Sequence, residues 1–372
     1  METIYTLKKQ DLKPWLESLA QDSDVYVPAR DRDNSLVDFF NLSEIKDDLG
    51  FGQGQEKRYV LDLVEKTKRS PKQVMYPHWE DLLDFTYEKD PENIEDEKIK
   101  LSVSQEAPNS IIFGLKPCDC QAIARMDAVF GQGIVKDPYY MKRRENTVLI
   151  SLGCDTVFED CFCTAVGGSP YGFDHTDMGL MEDGDHYVVF VYTKKGNALA
   201  QASNSYLAKA DAKDGQDYKS RMQERGRKAS EKMSSMWPKT AVEDMVEHLN
   251  KAFDASQWKK VSQQCISCGA CTFVCPTCYC FDIRDDKDNR QGKRYRCWDF
   301  CTSYLYTLEA SGHNPREDIQ KRYKNKVNCK YNYNFQRQGH LYCVGCGRCV
   351  EVCPVDMDIR QIVAAVLKSK QP

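Results

Sequence analysis

Two cysteine runs of identical spacing constrain this chain more than any other feature. Near the C-terminus, Cys343, Cys346, Cys349, Cys353 and Pro354 spell C-x2-C-x2-C-x3-C-P in CVGCGRCVEVCP; 78 residues earlier, Cys265, Cys268, Cys271, Cys275 and Pro276 repeat it in CISCGACTFVCP. Three thiolates, each separated by two residues, can curl a short loop around one cubane. The fourth, three residues on at the start of a helix, points away and ligates the other cubane. The pair predicts two [4Fe–4S] clusters with crossed ligation: Cys265, Cys268, Cys271 and Cys353 on one, Cys343, Cys346, Cys349 and Cys275 on the other. Gly269, Gly345 and Gly347 are assigned to cofactor binding, because glycine lets backbone N–H groups approach cluster sulfurs. Each proline suits a change of chain direction beside the last ligand.

Structural zinc and disulfides fit less well. Zinc sites take two C-x2-C pairs well apart, or Cys mixed with His, rather than a tight run of three followed by Cys-Pro. Of the 18 cysteines none precedes Cys118 and 13 fall between Cys265 and Cys353, which is metal wrapping rather than a disulfide framework spread along the chain. The opening METIYTLKKQDLKPW has no apolar signal stretch, so a reducing cytoplasm is expected. With 52 basic against 56 acidic residues of mixed order, the net charge of −4 gives no electrostatic footprint for nucleic acid. No apolar run approaches the roughly 20 residues of a membrane span, the best being YVVFVY from Tyr187.

Residues 1–203 read as an α/β domain. Leu7, Leu12, Trp15, Leu16 and Leu19 recur at helical spacing, and VYVP at Val25–Pro28 reads as a strand. LGFGQGQ, with Gly50, Gly52 and Gly54, is not G-x-G-x-x-G and reads as a turn. DPENIEDEKIK from Asp90 reads as a charged loop or short helix. IIFGL from Ile111 runs into KPCDCQAIARMDAVF as strand, turn and helix; TVLISLG from Thr147 and HYVVFVYT from His186 are further strands. Cys118, Cys120, Cys154, Cys161 and Cys163 therefore follow the C-terminal ends of strands, the edge where ligands gather in α/β sheets. From the residues alone these five are either a third cluster's ligands or inert buried thiols.

Residues 204–257 read as a helical connector, since they are rich in helix formers. Residues 258–372 read as a mainly helical two-cluster ferredoxin-like domain. A helix is predicted from near Cys301 to the Gly312-His313-Asn314-Pro315 stop signal, and the interval between the runs is predicted to be largely helical. The fold class is thus α+β: an α/β domain followed by a mainly helical dicluster domain. Cys278, Cys280, Cys297, Cys301 and Cys329 read as packing around the cubanes rather than as a further cofactor site.

SPKQVMYPHWEDL at Ser70–Leu82, GLKPCD at Gly114–Asp119, DPYYMKRRE at Asp137–Glu145, CFC at Cys161–Cys163, CPTCYCF at Cys275–Phe281, WDFC at Trp298–Cys301 and GHNPR at Gly312–Arg316 together carry a family resemblance. The chain resembles the iron–sulfur β subunits of cytosolic sulfhydrogenases and the corresponding iron–sulfur subunits of anaerobic sulfite reductase, a family of dicluster electron-transfer proteins. It departs from their pattern at EDCFC, WDFC and Cys329. The resemblance implies a third [4Fe–4S] cluster on Cys118, Cys154, Cys161 and Cys163, leaving Cys120 outside. It also implies two partners. One is an FAD/NAD(P)-binding subunit; the other is catalytic, a hydrogenase, a sulfite reductase or a heterodisulfide-reductase-like subunit.

The reading is an electron-transfer subunit of a cytosolic, multisubunit oxidoreductase, with no catalytic residues of its own. None of the six histidines falls in a catalytic motif. The rival is a self-contained redox enzyme with a substrate or flavin site in the Cys-rich α/β domain, using Cys120 or the second cysteine group as redox thiols.

Overall fold

The computed structural model describes residues 3–51, 57–89, 97–103, 107–236 and 242–368. Its centre is a mixed sheet ordered Leu207–Lys209, Thr3–Lys8, His186–Val191, Met178–Asp183, Thr147–Leu152, Ser110–Leu115, Asp24–Asp31, Tyr59–Leu61, Leu49–Gly50, with Leu36–Asn41 also paired to Asp24–Asp31. The four strands Asp24–Asp31, Ser110–Leu115, Thr147–Leu152 and Met178–Asp183 are mutually parallel. Ser110–Leu115 is buried along its whole length, as expected for a strand covered on both faces.

Alternation along these strands builds two cores. Ile111, Phe113 and Ile150 face a cluster with Trp15, Leu16, Val25 and Val27. Ile112, Leu115 and Leu149 face the opposite way, onto Ile123, Met126 and Cys120 of helix Pro117–Gly131. The predicted strands and the helix after Lys116 thus appear where periodicity placed them. Leu12–Leu19 is helical, while Leu7 belongs to the first strand.

The 204–257 stretch is mostly helical, as Ala212–Met236 and Val242–Lys251, but Leu207–Lys209 joins the sheet edge beside Thr3–Lys8. A third core gathers Met245 and Leu249 with Trp258, Tyr323, Val327, Tyr331, Ile359 and Ile362 around the cysteine runs. Helix Ile319–Asn328 continues through a π-helical turn, Cys329–Tyr333, into Asn334–Gln338. Such widened turns recur at functional sites.

Three expectations are corrected. The interval between the runs is not largely helical: Phe281–Asp288 and Gln291–Trp298 form a hairpin. Its second strand pairs with Trp79–Lys89, which in turn pairs with Glu97–Ser102, giving a four-stranded sheet. Arg296 fixes this junction, its buried guanidinium meeting Glu80 and Asp137 and lying 5.0 Å from the Tyr76 ring. Residues 97–100 are accordingly strand rather than loop or helix; residues 90–96 of the same stretch, with Gly52 and Gly54, lie outside the described residues. The helix predicted from Cys301 to Gly312 is reduced to the turn Leu305–Thr307. There side chains replace the backbone ladder: Asn314 donates to the Tyr304 carbonyl at 2.7 Å, and Thr307 to Asn314 at 2.8 Å.

Candidate metal centres

The twin runs fold alike. Ser267 and Gly345 take φ of 58° and 65°, and Gly269 and Gly347 take 78° and 76°. Each run then makes a one-turn helix, Ala270–Phe273 or Arg348–Glu351, before its fourth cysteine. The fourth cysteine thus follows a helix rather than starting one, and the turn between carries it away from its own loop.

Cys265, Cys268, Cys271 and Cys353 line one cavity, with Tyr323, Lys326 and Cys349 also in its wall. Cys343, Cys346, Cys349 and Cys275 line a second, with Cys271, Thr277, Lys330, Gly345 and Gly347. A third is lined by Cys118, Cys154, Cys161 and Cys163 together with Lys66, Lys116, Met233, Gly345 and Cys346. The predicted quartets are each brought together. Cys120 is fully buried in the core behind its helix, away from all three.

The cavities form a series through shared walls. Cys271, Cys349, Lys326 and Ile359 border both the first and the second, and Gly345 and Cys346 both the second and the third. Gly345 and Gly347 do more than free N–H groups. A Cβ on Gly345 would lie 2.5 Å from the Cys163 backbone, and one on Gly347 2.4 Å from the Asp160 carbonyl. Gly345 also accepts the Phe162 N–H at 2.9 Å. The missing side chains let the Cys161–Cys163 loop lie directly on the second run. A Cβ on Gly269 would meet the Phe300 ring at 2.8 Å.

The donor set fits [4Fe–4S] clusters. Each cavity holds its predicted quartet of thiols, with backbone N–H groups of Ser267, Gly345 and Arg348 directed at the sulfurs of Cys265, Cys343 and Cys346. The Tyr331 hydroxyl also meets Cys343. Burial pushes the thiols of Cys154 up to about 11 and Cys343 up to about 12, so ligation there must displace protons. Buried cations supply the counter-charge for anionic clusters. Lys326 meets the Cys271 sulfur, Lys330 donates to Thr277 at 2.8 Å, and Lys66 donates to the Cys346 carbonyl at 3.1 Å while pairing with Asp160.

A model of the 4Fe-4S dicluster domain matches residues 264–357. Sulfhydrogenase 2 subunit beta of Pyrococcus furiosus is 32% identical over 249 residues, 67% of this chain and 71% of that protein. The chain belongs to the sulfhydrogenase β-subunit family. F420-dependent formate dehydrogenase subunit beta of Methanocaldococcus jannaschii is 24% identical over 135 residues, 36% of this chain and 28% of that protein. As a member of the sulfhydrogenase β-subunit family, the chain is an iron–sulfur, electron-transfer type of oxidoreductase subunit carrying a [4Fe–4S] dicluster domain. Among the described residues no helix is long and apolar enough to cross a membrane.

Several side chains that contact the cysteine runs escaped the sequence reading. Lys72, in the SPKQ motif, reaches across to the carbonyls of Cys275 and Cys278 at 2.9 and 2.7 Å and lies 4.0 Å from the Trp298 ring centroid. Its turn is capped by Ser70, which accepts the Lys72 N–H at 3.2 Å. Lys326 and Lys330 were legible in principle: they lie four apart on the helix face that also carries Tyr323, Val327 and Tyr331. A lysine pair on an apolar face is a signal for a buried anion.

Proposed function

We propose that this chain relays electrons through three [4Fe–4S] clusters in a cytosolic multisubunit oxidoreductase. It stands between two partners, one binding flavin and NAD(P)H and the other carrying the catalytic site. Cys265, Cys268, Cys271 and Cys353 hold the first cluster, Cys343, Cys346, Cys349 and Cys275 the second, and Cys118, Cys154, Cys161 and Cys163 the third. When bound, each cluster supplies a one-electron carrier. The observation that carries this reading is the series of cavities with common walls, each lined by one predicted cysteine quartet and a fifth cysteine from a neighbouring quartet.

The chain's own residues give the series two ends. Cys268 is exposed at the first cavity, and Val64, 58% exposed, borders the third. Between them lies the second cavity, lined by Lys326, Lys330 and Phe162. Partners docking at the two ends would each approach a terminal carrier, and neither would need to reach the centre.

The test is anaerobic purification of the chain alone and with its native partners. The chain alone is expected to accept electrons from dithionite but not from NADH or NADPH, and reduction by pyridine nucleotide is expected to return with the flavin-binding subunit. Oxidation of NAD(P)H by the isolated chain would replace this reading with the self-contained enzyme.

A further inference from the structure

Five thiols of the dicluster region, those of Cys278, Cys280, Cys297, Cys301 and Cys329, line none of the three cavities. Two of them sit where the hairpin closes. Phe281 and Trp298 are its innermost pair, and just outside them Asp299 donates its N–H to the Cys280 carbonyl at 3.0 Å. This holds Cys280 and Cys301 side by side, so that their thiols are hydrogen-bonded to each other, with the Cys301 N–H and the Tyr306 hydroxyl also directed at the Cys280 sulfur. Neither sulfur lines any of the three cavities that the cluster quartets surround.

We propose that Cys280 and Cys301 form a redox-active thiol pair that exchanges two electrons, as dithiol and disulfide, with the centre in the Cys275 cavity. This rests on the cluster reading above. Three observations beyond the contact favour it. The pair adjoins that cavity through Cys278, which is hydrogen-bonded to Cys275, and through the Lys72 ammonium that clasps both of their carbonyls. Lys330, in the cavity wall, is also felt at Cys280. The hydrogen bond from Cys301 draws the Cys280 thiol down to about 6 against its burial, while Cys301 is raised. That asymmetry supplies one thiolate and one thiol, the arrangement from which a disulfide closes.

In the oxidative direction Cys280 enters as the thiolate, the one remaining S–H bond, that of Cys301, is given up and one S–S bond forms. Two electrons leave singly, each reducing an oxidised iron–sulfur centre by one, and one proton passes to solvent on the partly exposed side of Cys280. Reduction reverses each step. The pair thus gives a chain of one-electron carriers a place to hold a pair of electrons.

The test uses full-length, iron-loaded protein poised at a series of potentials, alkylated, digested and read by mass spectrometry. A Cys280–Cys301 disulfide is expected in oxidised protein, replaced by two alkylated thiols after dithionite reduction. Cys301→Ser is expected to keep its iron and its paramagnetic signals while taking up two fewer electrons per chain in reductive titration. Two alkylated thiols at every potential would overturn the proposal, and so would loss of iron from Cys280→Ser or Cys301→Ser, which would make them metal ligands. An iron-free wild-type protein would sink the cluster reading itself, and the assay for iron reveals that separately from the thiol count.

Discussion

Arg348 directs both terminal nitrogens at the carboxylate of Asp119, at 2.6 and 3.0 Å, and each side chain is only 1% exposed. Its Nε donates to the Thr67 carbonyl at 2.7 Å. Asp119 follows Cys118, and Arg348 lies between Cys346 and Cys349. One buried ion pair therefore fastens a corner of the third cavity to the loop of the second.

Removing one partner leaves the other charge buried alone, at a cost of about 3–5 kcal/mol. Asp119→Ala is expected to lower the denaturant midpoint accordingly and to release iron from the third cavity first. The double variant Asp119→Leu/Arg348→Met should recover much of the stability. A single-variant loss below about 1 kcal/mol would mean the pair is not a fastening.

Iron and acid-labile sulfide of about twelve each per chain are expected from three cubanes. Cys154→Ser should remove about four of each and leave the paramagnetic signals of the other two intact. A wild-type content of about eight would eliminate the third centre.

Crossed ligation makes a position-specific demand. Cys353→Ser is expected to disturb the centre that Cys265, Cys268 and Cys271 share with it, and Cys275→Ser the centre of the Cys343 run. Spectroscopy on paired variants separates the two. Damage from Cys353→Ser confined to the Cys343 centre would show that each run ligates only its own cubane.

Lys326 is a charge that can be removed with modest change in volume. At an effective dielectric near 20, a unit charge about 7 Å away is worth roughly 2 kcal/mol, on the order of 100 mV for one electron. Lys326→Met should shift the first centre to a more negative potential in a redox titration. An unchanged potential would mean that solvent, reaching this cavity past exposed Cys268, screens the ammonium.

The twin positions Ser267 and Gly345 should respond in opposite ways. Both hold positive φ, but a side chain at 345 would collide with the Cys163 backbone. Ser267→Gly is expected to be neutral or to stabilise by up to about 1 kcal/mol. Gly345→Ser should destabilise by at least about 1–3 kcal/mol and free the Cys161–Cys163 loop, which thermal unfolding with iron assay would register.

What could be read from the residues was what depends on short range. The strands at Ile111 and Thr147 declared themselves by continuous apolar runs, and the two cysteine runs by spacing that a cluster fits better than zinc or disulfides do. The hairpin at Phe281–Trp298 did not, because FDIRDDKD and QGKRYRCW are charged and mostly exposed, and their pairing depends on Trp79–Lys89, more than 200 residues away. Asp119 with Arg348, and Lys72 with Cys275, were hidden for the same reason: nothing local says which distant group a charged side chain will meet. The Cys118 to Cys163 quartet stands between these cases. Its members follow strand ends legibly, but only the docking of Gly345 on Cys163 turns a row of thiols into an enclosure.

The strand shared between Gln291–Trp298 and Trp79–Lys89 also bears on modularity. A segment cut out from residue 258 onward would retain both cysteine runs yet expose one unpaired hairpin edge, the sort of edge along which polypeptides associate. It would also forfeit Lys72 and Asp119, which enter from the discarded half. Such a segment, used as a detachable ferredoxin, would therefore be expected to aggregate, and the unit that keeps these contacts is the whole chain.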